Sequence, residues 1–428
     1  MLTRMDHTLA QRFARLGVAV PEILLPSDDV DLEKWAVIAC DQHTSEPDYW
    51  KEVDTLVGDA PSTLRLIYPE VYLGSEPPEP RIAAIREAMA AYLSGGVLQP
   101  ARAGLILTAR TTSTGRTRTG LIVALDLEAY DYRPGARSLI RASEETIVER
   151  LPPRIRIREG APIELPHVLV LIDDRDAPVI APLTDTALSA YRTRLMLGGG
   201  RVSGSWVGDG ELAPLADRLE QILSASPADN RFLFAVGDGN HSLATAKAVW
   251  DKLKPTVAGD HPARYALVEL VSLYDPGLHV EPIHRIVRTA DPSGWARGMI
   301  ESIGGEFAPA ESPAELRAAV ARDGRAVGIA TSAERGILRL ADDGSLPVAV
   351  VQEYLNRDPA LKIDYIHGFE TTLEQARDDS VVAIVLPDFD PGMLFPTIAA
   401  DGVLPRKAFS LGEAADKRYY LEARRISD

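Results

Sequence analysis

The stretch Phe232-Leu233-Phe234-Ala235-Val236-Gly237-Asp238-Gly239-Asn240-His241-Ser242-Leu243 decides the fold class. Residues 232–236 form a continuous apolar run of strand length, the pattern of a strand covered on both faces. Behind it Leu243, Ala246, Trp250 and Leu253 recur at helical spacing, and Pro255 stops that helix. A buried strand that turns sharply into a helix is the unit of layered α/β architecture. Upstream, Leu212, Leu215, Leu219, Ile222 and Leu223 mark one face of a preceding helix. Downstream, residues 265–273, 327–330 and 381–386 read as further strands.

The N-terminal half follows the same alternation. Ile82, Ile85, Met89, Tyr92 and Leu93 predict a helix between the prolines at 77–80 and Gly95-Gly96. Strands are expected at 105–108, 121–127 and 168–172, with 111–120 as a basic hairpin loop. The Pro- and Arg-rich residues 150–166 suit neither helix nor strand. Residues 197–210 carry six glycines, which fit a linker or a mobile loop over a site. The expectation is therefore an α/β protein of mixed (α+β) sheets in two layered domains, 1–200 and 211–428, divided at that glycine-rich stretch.

Composition narrows the partners. At 428 residues the chain exceeds what one core usually organises. A net charge of −16 disfavours nucleic acid and anionic membranes, yet a local cluster of arginines can still attract a small anionic metabolite. One cysteine, Cys40, cannot form an internal disulfide, and its apolar neighbours suggest a small buried residue. Residues 1–21 lack the apolar core of a signal peptide, and no apolar run approaches the ~18 residues of a membrane span. A cytoplasmic protein is expected, of undetermined oligomeric state.

The turn after residue 236 is the first candidate for chemistry. Its glycines permit positive φ and close approach of a ligand to the backbone. Asn240 or Ser242 can cap the helix, whose first amides, Gly239 among them, lack helical partners and attract anions. Asp238 offers a carboxylate for Mg²⁺ or a proton, and His241 titrates near neutrality. An ordinary capped turn fits the same residues equally well. Walker, dinucleotide, G-x-S-x-G and H-E-x-x-H signatures are all absent. Asp41 and His43 follow an apolar segment (35–40), so their side chains can emerge at a strand end, or on a plain surface turn. Glu145 is a candidate base or metal ligand, or a solvated residue beside Glu144. His284 beside Arg285 suits an anion, although most histidines are structural.

Many of these segments resemble one family in order along the chain. They include Arg118-Thr119-Gly120-Leu121-Ile122, Arg141-Ala142-Ser143-Glu144-Glu145-Thr146, residues 237–241 followed by Ala244 and Ala246, Leu273-Tyr274-Asp275-Pro276-Gly277-Leu278, Pro282-Ile283-His284-Arg285 and Ile363-Asp364-Tyr365-Ile366-His367. The chain is similar over nearly its whole length to the bacterial and archaeal family termed domain of unknown function 1015. That family's Asp-Gly-His-His-Arg turn is similar to the nucleotide-contacting turn of the ParB/sulfiredoxin-like group, which includes free-serine kinases. This chain departs from the turn twice: Asn240 stands in place of the first His and Ser242 in place of the Arg. Losing that Arg removes a bidentate phosphate contact, which Arg141, Arg285 or Lys407 would have to replace.

The resemblance implies a Mg²⁺-dependent phosphotransferase acting on free serine or a similar hydroxy metabolite, with a nucleotide or pyrophosphate as donor. In that scheme Asp238 binds the metal and the amides of residues 239–242 hold phosphate. His241 or Glu145 accepts the proton, and Arg285 neutralises developing charge. A hydrolase or isomerase of an anionic metabolite and a non-catalytic nucleotide or metabolite sensor are the other expectations.

Overall fold

The computed structural model describes residues 7–75, 77–176, 178–185, 188–405 and 407–427. The first six residues, on which part of the leader-peptide expectation rests, lie outside this set. The chain divides into two compact units, residues 1–278 with 413–428, and residues 279–412. The division expected at 197–210 instead falls inside the first unit.

The first unit is built on a ten-stranded mixed sheet. Its order runs from Leu188–Arg194 through Arg201–Trp206, Ile106–Thr111, Thr117–Asp126, Tyr265–Ser272, Leu169–Ile172, Phe234–Asp238 and Ile140–Ala142 to Tyr130–Asp131, with Val18–Ala19 also on Thr117–Asp126. Phe234–Asp238 is antiparallel to Leu169–Ile172 and parallel to Ile140–Ala142. Both faces are covered. Leu121, Val123 and Leu125 belong to one hydrophobic cluster and the intervening Ile122 to another, as the two-residue period of a strand requires. That double burial explains why these strands read as unbroken apolar runs.

Two local expectations are corrected. Arg201–Trp206 is a regular strand with an antiparallel neighbour on each side. Its Gly204 serves packing, because a Cβ there would lie 2.4 Å from the Tyr191 ring. Residues 151–158 form a helix, Leu151–Arg158, despite Pro152 and Pro153. Prolines in a first helical turn forfeit no helical hydrogen bond, since those amides have no partner in the helix anyway. The packing of this helix against Asn240–Leu253 overrides its poor local pattern.

The second unit is an antiparallel sheet of seven strands, ordered Glu306–Pro309, Arg335–Arg339, Ala326–Ala330, Val381–Val385, Val280–Arg288 and Ile363–His367, with Phe409–Leu411 also on Val280–Arg288. His284 and Arg285 lie within an interior strand, Val280–Arg288. His284 is 4% exposed, and its Nδ1 accepts the Leu386 amide at 3.1 Å. Burial, helped by Arg285 and His367, pushes its pKa down to about 4.

This yields a pH prediction. The unfolded chain binds a proton at His284 near the ordinary value of 6.5, and the folded chain resists it down to about 4. The neutral imidazole therefore contributes its full stability above pH 6.5, and that contribution fades as pH falls towards 4. The loss amounts to roughly 3 kcal/mol. Protection factors of the amides in Val280–Arg288 and Val381–Val385, which correct for the slowing of intrinsic exchange as pH falls, should drop across this window, and His284→Gln should flatten the dependence. A flat wild-type profile would contradict it.

Candidate functional site

Three separated segments converge where the strand Phe234–Asp238 ends. Pairing with Leu169–Ile172 is irregular between Val236 and Asp238, so Gly237 forms a bulge that re-aims the following carboxylate. Gly239 then takes the left-handed conformation, φ 82°, and the helix Asn240–Leu253 starts without a side-chain cap. A Cβ on Gly239 would sit 3.0 Å from Val168 Cγ2 in a conformation that L residues avoid. The Gly239 amide donates to Asp238 Oδ1 at 3.0 Å. Asn240 Oδ1 is buried with no hydrogen-bond partner among the described residues.

The second segment precedes Leu169–Ile172. As that strand is antiparallel, its first residues reach the same sheet edge. His167 thereby comes to Ser242, with Nε2 and Oγ 3.2 Å apart.

The third is the stretch 417–420, threaded between two others. The Ala39 amide donates to Lys417 O (2.7 Å), the Tyr419 amide to Val37 O (3.1 Å) and the Tyr420 amide to Pro166 O (3.1 Å). Lys417 Nζ lies 3.4 Å from Asp238 Oδ2. The ring of Tyr419 meets that of His167 edge-on at 4.9 Å.

Electrostatics bind these groups into one cluster. Burial opposes the charge on Lys417, but Asp238, Asp41 and Glu144 outweigh it and hold the ammonium above its ordinary pKa. For Asp41, burial alone would raise the carboxyl. His167, a hydrogen bond from Gln42 and Lys417 more than offset it, and the carboxyl is held below its usual value. Burial and the neighbouring Asp41 push the Cys40 thiol up to about 12, so it is no nucleophile at neutral pH.

The sequence-predicted residues divide sharply. Asp238, Gly239, Asn240, Ser242 and Asp41 are together. His241 follows them, but its Nε2 accepts the Ile147 amide at 3.3 Å, so that nitrogen is not available to take a substrate proton. Glu145 is exposed, whereas its neighbour Glu144 is the carboxylate that acts on Lys417. His43 stacks on Tyr49 at 3.8 Å and pairs with Glu46 at 3.0 Å. Arg141 is 2% exposed and folds back on Ser138 O (3.0 Å) and the Phe232 ring (4.3 Å). Arg285 and His284 belong to the second unit; Arg285 is wholly buried, with Nε donating to Gln352 Oε1 at 3.1 Å. Lys407 is an exposed residue of that unit with φ 59°. The cation beside the turn is Lys417, and sequence reasoning missed it together with His167. A histidine immediately before a buried strand was the one local signal for His167.

A family described as "Protein of unknown function (DUF1015)" matches residues 24–349. The chain belongs to this family. No curated protein sequence matches it. Among solved structures, a conserved hypothetical protein from Pyrococcus furiosus aligns with 10% identity and a TM-score of 0.36, covering 68% of this chain and 90% of that one. A free serine kinase in complex with AMP aligns with 11% identity and a TM-score of 0.38, covering 68% and 88%. SbnI with a C-terminal truncation, from Staphylococcus aureus, aligns with 8% identity and a TM-score of 0.38, covering 68% and 82%. No described helix is long and apolar enough to cross a membrane.

Proposed function

We propose that this chain transfers a phosphoryl group from a nucleotide or pyrophosphate to a small hydroxylated metabolite. One observation carries the reading: an uncapped helix start after a left-handed glycine, with Lys417 beside it and the His167–Ser242 pair within the same cluster. The resemblance of the turn to ParB/sulfiredoxin-like nucleotide contacts agrees with it. Amides of the first helical turn and the Lys417 ammonium bind the donor phosphates, and the ammonium takes the place of the Arg missing at residue 242. Asp238 orients Lys417. His167 Nε2, which here faces the Ser242 hydroxyl, accepts the proton of the acceptor hydroxyl.

Among the described residues no group of three or more metal-ligating side chains occurs. A Mg²⁺ ion would come with the nucleotide; Asp238 is the residue here that would hold it, and it would supply charge neutralisation on the phosphates.

Saturating ATP, ADP or pyrophosphate with Mg²⁺ should raise the melting temperature by several degrees, since a ligand at a hundred times its Kd adds about 2.7 kcal/mol. No shift with any of the three rejects the proposal. The His167–Ser242 contact would equally serve hydrolysis of an anionic metabolite. Phosphorylated product that forms only when donor is present separates transfer from hydrolysis.

A further inference from the structure

Beside the polar cluster lies a cavity of about 150 Å³ inside the first unit. Cys40, His167, Ser242 and Tyr419 contribute to its wall, so it adjoins the site where the acceptor hydroxyl would be activated. The remaining wall is mainly apolar, with Leu66, Met89, Ile157, Leu243, Ala246 and Leu267 facing it. Its two arginines are already engaged within the wall. Arg154 pairs with Glu70, and Arg158 pairs at 2.6 Å with Glu164, a carboxylate that Arg424 also bonds. A ligand body in this space therefore meets mainly hydrocarbon and arginines already held by carboxylates, with polar atoms at the His167–Ser242 contact.

Volume and lining together set the ligand's chemistry. An apolar cavity of this size accommodates a group about as large as benzene. Serine offers a single methylene, which would leave most of the apolar wall in contact with water. We infer that the acceptor is a hydroxylated metabolite with an apolar body of roughly five or six carbon atoms, branched aliphatic or phenyl. Its hydroxyl lies at His167 and its hydrocarbon fills the space lined by Ala246 and Leu267. The inference rests on the phosphotransfer reading for what happens to that hydroxyl, but not for binding.

The test is calorimetric titration of the full chain, without nucleotide, with L-serine, glycerate, 2-hydroxy-4-methylpentanoate and 3-phenyllactate. The last two should bind roughly 30-fold tighter or more than the first two, from the added apolar area buried. Ala246→Leu, which puts hydrocarbon into the cavity, should leave the melting temperature level or higher and weaken 3-phenyllactate at least tenfold. Serine or glycerate binding as tightly as 3-phenyllactate overturns the inference. So does a panel in which nothing binds, or an Ala246→Leu protein that keeps wild-type affinity or melts several degrees lower. If nucleotides and pyrophosphate leave the melting temperature unchanged while 3-phenyllactate binds as stated, phosphotransfer falls and the apolar-bodied ligand stands.

Discussion

Lys417→Met should abolish the thermal shift by nucleotide and pyrophosphate and lower phosphotransfer by two to three orders of magnitude, the usual scale for losing one preorganised charge at a transferring group. The ammonium is partly buried and flanked by Asp238, Asp41 and Glu144. Methionine keeps much of the volume but leaves three carboxylates without their shared cation, in a place meant to receive further negative charge. Lys417→Arg should retain a measurable fraction, because the charge survives while the point geometry does not. Product formation with saturating donor reads the effect. Wild-type turnover in Lys417→Met would remove Lys417 from the site and, with it, the replacement for the missing turn arginine.

The largest stability effect is expected away from the site, at Glu269. This side chain is 1% exposed and crosses the first unit's sheet to three partners: Arg118 Nη2 at 2.6 Å, Tyr420 Oη at 3.0 Å and Thr108 Oγ1 at 2.9 Å. Gly120 makes room for it, since a Cβ there would lie 2.3 Å from the carboxylate. Nearby Arg110 is 4% exposed, with Nε and Nη2 unpartnered among the described residues. Burial, followed by repulsion from Arg118, lowers its pKa to about 10. Removing Glu269 leaves two buried guanidinium groups without compensation. Glu269→Leu should cost about 3–5 kcal/mol. Combining it with Arg118→Met should recover part of that loss, because a buried pair replaced as a unit is far less costly than one broken. Four of the five tryptophans (Trp35, Trp50, Trp206 and Trp250) lie in the first unit, so intrinsic fluorescence in urea follows its unfolding. A loss below about 1 kcal/mol would mean that water replaces the carboxylate.

Much of the architecture was legible because it is written in local periodicity. The helices Pro78–Ser94, Leu212–Ala225 and Asn240–Leu253 and the strands Tyr265–Ser272 and Val381–Val385 carry their own pattern. Reading failed where tertiary packing supplies the reason. Arg201–Trp206 looked like a flexible glycine stretch, although Gly204 is small because Tyr191 presses on it. Leu151–Arg158 looked broken by proline, although a helix tolerates proline in its first turn. The division into units was missed because the first unit is discontinuous in sequence, and no linker composition announces its resumption at residue 413. At the site, the turn was legible since Gly239 states its conformational need in one letter. Lys417 was not, because nothing in the residues around it reveals that they thread between segments 37–39 and 166–168. Arg285 and Arg141 drew attention as positive charges near conspicuous motifs, yet both are spent on interior contacts.

The threading of 417–420 also imposes a timetable on biosynthesis. A ribosome must deliver residues 279–412 before Lys417 emerges, so a nascent chain that already holds Asp41, His167 and Asp238 still lacks the cation among them. Until then the carboxylates of Asp41, Glu144 and Asp238 lack their shared cation, and the edges at 37–39 and 166–168 miss their backbone partners. Nascent chains stalled before residue 413 should therefore remain protease-sensitive around residues 37–42 and gain protection once 420 has cleared the exit tunnel. The cluster around Asp238 is thus completed only after residue 420 has been added to the chain.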